Sequence, residues 1–314
     1  MEKISPRIDI AFKKIFGVEE NKDLLISLIN SIVSEEDQVV DLTLLNPYNN
    51  KNFAKDKLSI LDVKAKGVDG KRFNIEIQVS DEADYDKRAL YYWAKLYTEQ
   101  LQAASDYGQL TKAIGIHILN FTSIPHSEKY HNVFHIHEKD TGVRYFKDLE
   151  LHTVELTKFA PESQEGLEDL VSKIQESIDV WAAFLTRHEL LNKDSLPKEL
   201  NTPALKKALN VLEVMNFGED ERDAYEERLK WLRVEANTLK KYEEKGREEG
   251  REEGEQIGLE KGEQIGLKKG REEGEQIGLE KVAINMLKKG LSPFDIHELT
   301  GLDEAIVAGL SDHL

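Results

Sequence analysis

Asp62 and the triplet Glu76-Ile77-Gln78 place two carboxylates and a carboxamide on a single short stretch of chain. Between them lies Asp69-Gly70, flanked by the β-branched runs 59–66 and 72–79, and Asp-Gly in that setting is a strong hairpin cue. With a two-residue loop, Val68 pairs with Lys71 and Asp62 falls opposite Ile77. A one-residue bulge then brings Asp62 onto the face shared by Glu76 and Gln78. Paired carboxylates on a half-buried surface repel each other and lose solvation. A hard divalent cation relieves both costs. Mg²⁺ accepts one or two carboxylates plus waters and phosphate oxygens, and Asp62, Glu76 and the backbone carbonyl of Ile77 would offer such a set. The plainer alternative is that both acids are solvated residues on the open face of an antiparallel sheet.

The elements around the hairpin follow from periodicity. Ser5-Pro6 starts a helix carrying Ile8, Phe12, Ile15 and Phe16, which ends at Gly17. A second amphipathic helix spans 21–33, and residues 39–45 read as a strand stopped at Asn46-Pro47. After the hairpin comes a long helix over 84–104, then the apolar strand 113–121. Residues 133–137 and 151–156 read as further strands around the Asp140-Thr141-Gly142 turn. Helix, strand, hairpin strands, helix, strand is an αβββαβ order, an α/β core with a mixed central sheet flanked by helices.

Three segments, DIAFKKIFG (9–17), LDVKAKGVDGKRFNIEIQ (61–78) and KRALYYWAKLYTEQL (87–101), carry a resemblance in order and spacing. They resemble the PD-(D/E)XK nucleases, in the branch of Rpn family recombination-promoting nucleases and transposases. The resemblance covers about the first half of the chain and returns in a C-terminal glycine repeat. It implies a metal-dependent DNA endonuclease acting in DNA recombination or on mobile elements, with DNA as partner and Mg²⁺ or Mn²⁺ as cofactor. Asp62 and Glu76 would be the metal ligands, Asp9 from the first helix would complete the site, and Gln78 would orient a water. Most PD-(D/E)XK enzymes have lysine where Gln78 stands, so the positive charge would come from Lys64 or from Lys95 on the following helix. Ala104 also departs from the branch, which carries a glycine there. Asp9 equally suits a plain interaction with the helix dipole.

Arg88 and Lys95, seven residues apart, share a helix face and would contact DNA phosphates. Asp84 and Glu99 stand four residues from them, so an ordinary salt-bridged helix face is the alternative. His131, His135 and His137 raise a metal question, but no cysteine or second histidine pair completes a zinc set, which favours a surface strand.

The charge of −17 argues against a strong nucleic-acid binder. Its distribution softens the objection, because residues 1–160 carry 21 Lys and Arg against 25 Asp and Glu, and the remainder 22 against 35. Salt-sensitive DNA binding is the expectation. The absence of cysteine removes disulfides, thiolate catalysis and zinc-finger chemistry. No apolar run reaches membrane-spanning length and no signal-peptide core is visible, so a cytoplasmic protein with no membrane partner is expected. No phosphate-binding glycine motif or hydrolase triad suggests a small-molecule cofactor or acyl chemistry.

Four regions are expected: the nuclease-like domain 1–160, a helical region 161–245, a segment 246–281 with glycine every four residues, and a three-helix unit 282–314. The sequence GREEGEQIGLEK occurs twice, at 250–261 and 270–281. Nine glycines at about 1 kcal/mol each against alanine disfavour a lone helix. Either the segment is a flexible spacer, or its glycines admit a partner backbone and the C-terminal half forms a homo-oligomer. The tail's third helix lacks Lys and Arg, so it suits protein contact better than a major groove. A catalytically weak interaction protein that assembles through this half is the alternative to the endonuclease.

Overall fold

The computed structural model describes residues 4–46, 62–82, 84–101, 106–160, 166–215 and 217–311, with Asp62 and Ser311 described by their backbone alone. Two compact units divide the chain, residues 1–234 and 235–314. In the first unit a six-stranded mixed sheet has the order β1-β2-β3-β4-β6-β5, with β1 Leu42–Leu44, β2 Asp62–Gly67, β3 Arg72–Gln78, β4 Ala113–Leu119, β5 His131–Phe134 and β6 Leu149–Glu155. The β3–β4 and β4–β6 pairs are parallel and the others antiparallel. Helices α1 Asp9–Phe16 and α2 Lys22–Ile32 precede the sheet, and α3 Tyr85–Thr98 makes the crossover between β3 and β4. This is the expected αβββαβ order.

The hairpin differs from expectation in its loop. Gly67 N–H donates to Lys71 O at 2.9 Å and Gly70 N–H to Gly67 O at 3.0 Å, which closes a three-residue loop of Val68, Asp69 and Gly70. Gly70 has φ +90°, where a side chain would be strained. The extra residue therefore sits in the turn, and the ladder runs without a strand bulge through Lys66↔Arg72, Lys64↔Asn74 and Asp62↔Glu76. Asp62 lies opposite Glu76, not opposite Ile77. Residues 59–61 of the expected strand, Pro47, Ala104 and Asp312 lie outside the described residues.

Every residue from Phe73 to Gln78 is buried, on both faces of β3. One face is apolar: Phe73, Ile75 and Ile77 join Val63 and Ala65 of β2 and Ile114, Ile116 and Ile118 of β4 in the main core. Against it pack Phe12 and Phe16 of α1, Leu24 and Leu28 of α2, and residues of α6 Ser177–Arg187 and α7 Pro203–Val214, among them Trp181, Phe184 and Leu205. The helices after β6 thus complete the sheet's own core. Short helices α4 Leu156–Phe159 and α5 Leu167–Ser172 lead into them. The opposite face of β3 carries Asn74, Glu76 and Gln78 and is covered by α3.

A single helix, α8, runs from Glu219 to Lys288, and of the two readings of the glycine segment it takes the helical one. Within the first unit its Tyr225 packs with Phe217, Ile8, Ile10 and Ala11. In the second unit the glycine repeat is helical, and a Cβ built on any glycine from Gly246 to Gly278 meets nothing within 4 Å. Ala283 then forms a small core with Ile296 of α9 Pro293–Thr300, Leu302, and Val307 of α10 Glu304–Ser311. Among the described residues no helix is long and apolar enough to cross a membrane.

Candidate active site

The site is built on the polar face of β3. Glu76 is 2 % exposed, Gln78 3 % and Asn74 1 %, so three polar side chains are buried in succession where an apolar strand face would be cheaper. Directly opposite positions of an antiparallel pair share a sheet face, and Asp62↔Glu76 is such a pair. The register thereby brings the two sequence-predicted acids to neighbouring positions. Parallel pairing adds a residue that the motif did not name, His117 of β4, beside Glu76.

Glu76 divides its oxygens between two neighbours. Oε1 lies 3.5 Å from an Arg88 guanidinium nitrogen, and Oε2 lies 3.8 Å from His117 Nδ1. Arg88 also ion-pairs with Glu82 and lies 5.8 Å from the centre of the Tyr85 ring. Gln78 Nε2 donates to Glu82 Oε1 at 2.9 Å and to Ser80 O at 3.1 Å. Gln78, Glu82, Arg88 and Glu76 therefore form one chain of contacts. Burial pushes the His117 imidazole down to about 4, with Arg88 and His152 pushing the same way, so the ring is neutral at pH 7. Burial likewise raises the Tyr85 hydroxyl, and the Glu76 charge adds to the rise. Tyr85 meets His117 edge-on at 5.8 Å between ring centres.

The remaining predicted residues lie at different distances from this centre. Arg88 is inside the site, and the expected Asp84–Arg88 pair does not form, since Asp84 binds Lys87 at 2.7 Å. Lys95 pairs with Glu99 at 3.7 Å as the four-residue spacing implies, and Lys64 of β2 reaches the same Glu99 at 3.9 Å. Ile77 turns its side chain into the core and pairs with Ile118. Asp9 is buried and 3.7 Å from Arg228 Nε of α8. Burial raises its carboxyl against the pull of Arg228 and of the Ile10 N–H, which donates to it at 2.9 Å. Arg7 donates to Asn120 at 2.7 Å, and Asn120 N–H donates to Gln78 O at 2.9 Å, which ties the start of α1 to the end of β3.

The histidines after β4 join a separate network around Glu150. His135 and His152 bind its two oxygens at 2.6 and 2.8 Å, Lys112 reaches it at 2.8 Å and Arg144 at 3.3 Å. Burial alone would raise Glu150, yet the hydrogen bonds from His152, Lys112 and His135 hold it well below the usual carboxylate range. His131 meets His152 at 3.0 Å between ring nitrogens, and His137 binds Gly142 O. Among the described residues, which do not include the Asp62 side chain, no group of three or more acids or histidines is arranged to hold a metal. The donor set of the β3 face nonetheless suits a divalent cation: a buried carboxylate, a second acid opposite it in register, and a neutral imidazole beside it.

A family model described as PD-(D/E)XK nuclease family transposase matches residues 6–242, ending four residues before the first glycine of the repeat. No curated protein and no solved structure matches the chain.

Proposed function

Since the chain belongs to the PD-(D/E)XK nuclease family transposases, we propose that it is a metal-dependent DNA endonuclease whose ion is held by Asp62 and Glu76. The observation that carries this reading is the Asp62↔Glu76 register, with Gln78 two residues further along β3. Mg²⁺ or Mn²⁺, when bound, would lower the pKa of a coordinated water and neutralise charge on the scissile phosphate. The chain's own residues supply the rest. Gln78 uses its amide N–H groups on Glu82 and Ser80 O, which fixes the carboxamide and directs its oxygen as an acceptor for the attacking water. The lysine that Gln78 replaces has its counterpart in Arg88, whose guanidinium is linked to Gln78 through Glu82. Lys64 and Lys95 share Glu99 at the end of α3 and suit contact with the DNA backbone flanking the cleaved bond. Asp9, held against Arg228, is not needed for this reading.

The test is nicking of supercoiled plasmid with and without Mg²⁺ or Mn²⁺. Asp62→Ala should abolish metal-dependent nicking with an unchanged circular dichroism spectrum, and persistent cleavage by that variant refutes the assignment. A second reading, a catalytically silent interaction protein, is favoured by the guanidinium already placed at Glu76. Absence of nicking by the wild-type chain with either ion would select it. Under both readings the glycine repeat of α8 serves a homo-oligomer. Its exposed i,i+4 pairs, such as Lys245–Glu249 and Arg271–Glu275, contribute about 0.3–0.5 kcal/mol each, well short of nine glycines at about 1 kcal/mol each. A second copy lying along the stripe would offset that deficit.

A further inference from the structure

His117 is a buried and unsatisfied polar side chain beside the candidate site. It is 2 % exposed, and neither ring nitrogen has a hydrogen-bond partner among the described residues. A buried imidazole without partners loses its hydration uncompensated, and such a group in a folded protein calls for an explanation. Apolar packing against Tyr85 does not supply one, because a leucine or phenylalanine would pack there without a desolvated nitrogen.

The ring's placement is specific. Gly115, two residues before it on β4, leaves the space the ring needs: a Cβ there would stand 3.1 Å from His117 Nε2 and 2.6 Å from Leu151 Cδ2. Nδ1 is thereby turned toward β3, 3.8 Å from Glu76 Oε2. Two atoms bound to one ion at about 2.1 Å each stand no more than about 4.2 Å apart, so this separation lies within the reach of a single cation. Glu76 Oε1 faces Arg88 and Oε2 faces His117 Nδ1.

Resting on the nuclease reading of this site, we propose that His117 is a third protein ligand of its cation, through Nδ1, and that the site accordingly prefers Mn²⁺ to Mg²⁺. Two carboxylates and waters serve either ion, whereas an imidazole nitrogen favours the transition metal over the hard, strongly hydrated Mg²⁺. His117 stands outside the Asp, Glu and Gln positions of the motif. The inference therefore concerns which ion this chain selects, given that Asp62 and Glu76 bind one.

The experiment uses the full chain with Mn²⁺ as probe. Pulsed electron paramagnetic resonance should show ¹⁴N modulation from a directly bound imidazole, and that modulation should change when the histidines are ¹⁵N-labelled. His117→Gln should lose it and bind Mn²⁺ at least tenfold more weakly by calorimetry, with a smaller loss for Mg²⁺. Mn²⁺ bound to the wild-type chain without nitrogen modulation overturns the proposal, and this measurement stands whether or not the variant folds. If Glu76→Gln loses Mn²⁺ while His117→Gln binds it as the wild type does, His117 is not a ligand and the acidic site survives. If neither substitution changes Mn²⁺ binding, both readings fall.

Discussion

Removing the Arg88 guanidinium is the most informative perturbation of the site, because it is the cation drawn against the carboxylate that the nuclease reading needs. Arg88 and Glu76 stand 3.5 Å apart, with side-chain exposures of 24 % and 3 %. At an effective dielectric near 20 their attraction is about 5 kcal/mol. Desolvation of both groups and the solvent reaching Arg88 reduce this to a net coupling of about 1–3 kcal/mol. The assay is a double-mutant cycle of Arg88→Met and Glu76→Gln, read by urea unfolding in metal-free buffer. Trp93, Trp181 and Trp231 are the three tryptophans of the chain and all lie in the 1–234 unit, so their fluorescence reports that unit alone. Arg88→Met should destabilise strongly in the wild-type background and much less beside Glu76→Gln, where no charge remains to be compensated. Single-mutant effects that add to within about 0.5 kcal/mol would show that the two groups are not coupled, and the chain of contacts from Gln78 to Glu76 would lose its energetic basis.

Three further outcomes follow from the same geometry. Gly115→Ala should cost about 1–3 kcal/mol, because its Cβ would stand 2.6 Å from Leu151 Cδ2; an unchanged thermal midpoint would mean that the sheet face yields easily. His131 is held down to about 4 by burial and by His152, so it stays neutral while the unfolded chain takes up a proton below about pH 6.5. Stability should therefore be fully present above pH 6.5 and lost as pH falls toward 4, by at most about 2 kcal/mol at pH 5, and His131→Gln should flatten that fall; parallel pH profiles for the two proteins would exclude the assignment. Replacing Gly254, Gly258, Gly262 and Gly266 by alanine should raise the helicity of an isolated helix but shrink the assembly in sedimentation velocity if a second copy uses the stripe. An assembly of unaltered size would remove the glycines from the interface.

Much of the core was legible because its signals are local. Asp69-Gly70 between β-branched runs announces a hairpin and the apolar run at 113–121 a central strand, whereas at Ser5-Pro6, which reads as a helix start, the chain makes a turn and α1 begins at Asp9. The register differs from the two-residue-loop expectation by one residue for an equally local reason. Asp-Gly suits a two-residue loop, while the chain makes a three-residue loop by giving Gly70 the positive φ and adding Val68. Other features depend on long-range placement and leave no periodic trace. Asp9 and Arg228 are 219 positions apart, and His117 reads as one polar residue in an apolar strand until the parallel register sets it beside Glu76. Propensity left the glycine repeat undecided. It is helical in the structure as the continuation of α8 from Glu219 to Lys288, with the cost of nucleation met by flanking segments rich in better helix formers.

Two buried acids on the same sheet show why one cluster reads as a site and the other as scaffold. Glu150 is surrounded by His135, His152, Lys112 and Arg144, each within 3.3 Å, and both of its oxygens accept hydrogen bonds. Such a network is complete as it stands. An added ligand would have to break strong charge-assisted bonds to gain entry. Around Glu76 the balance is different. Its contacts to Arg88 and His117 are longer, at 3.5 and 3.8 Å, and beside it the His117 ring nitrogens and the Tyr85 hydroxyl lack hydrogen bonds among the described residues. Polar groups desolvated without full compensation lower stability. Chains keep them where a bound species completes the arrangement, and here the incomplete cluster coincides with the one position at which Asp62 and Glu76 meet in register. The unsatisfied His117 nitrogens and Tyr85 hydroxyl beside Glu76 thus mark its cluster, and not that of Glu150, as the place where a bound species would complete the arrangement.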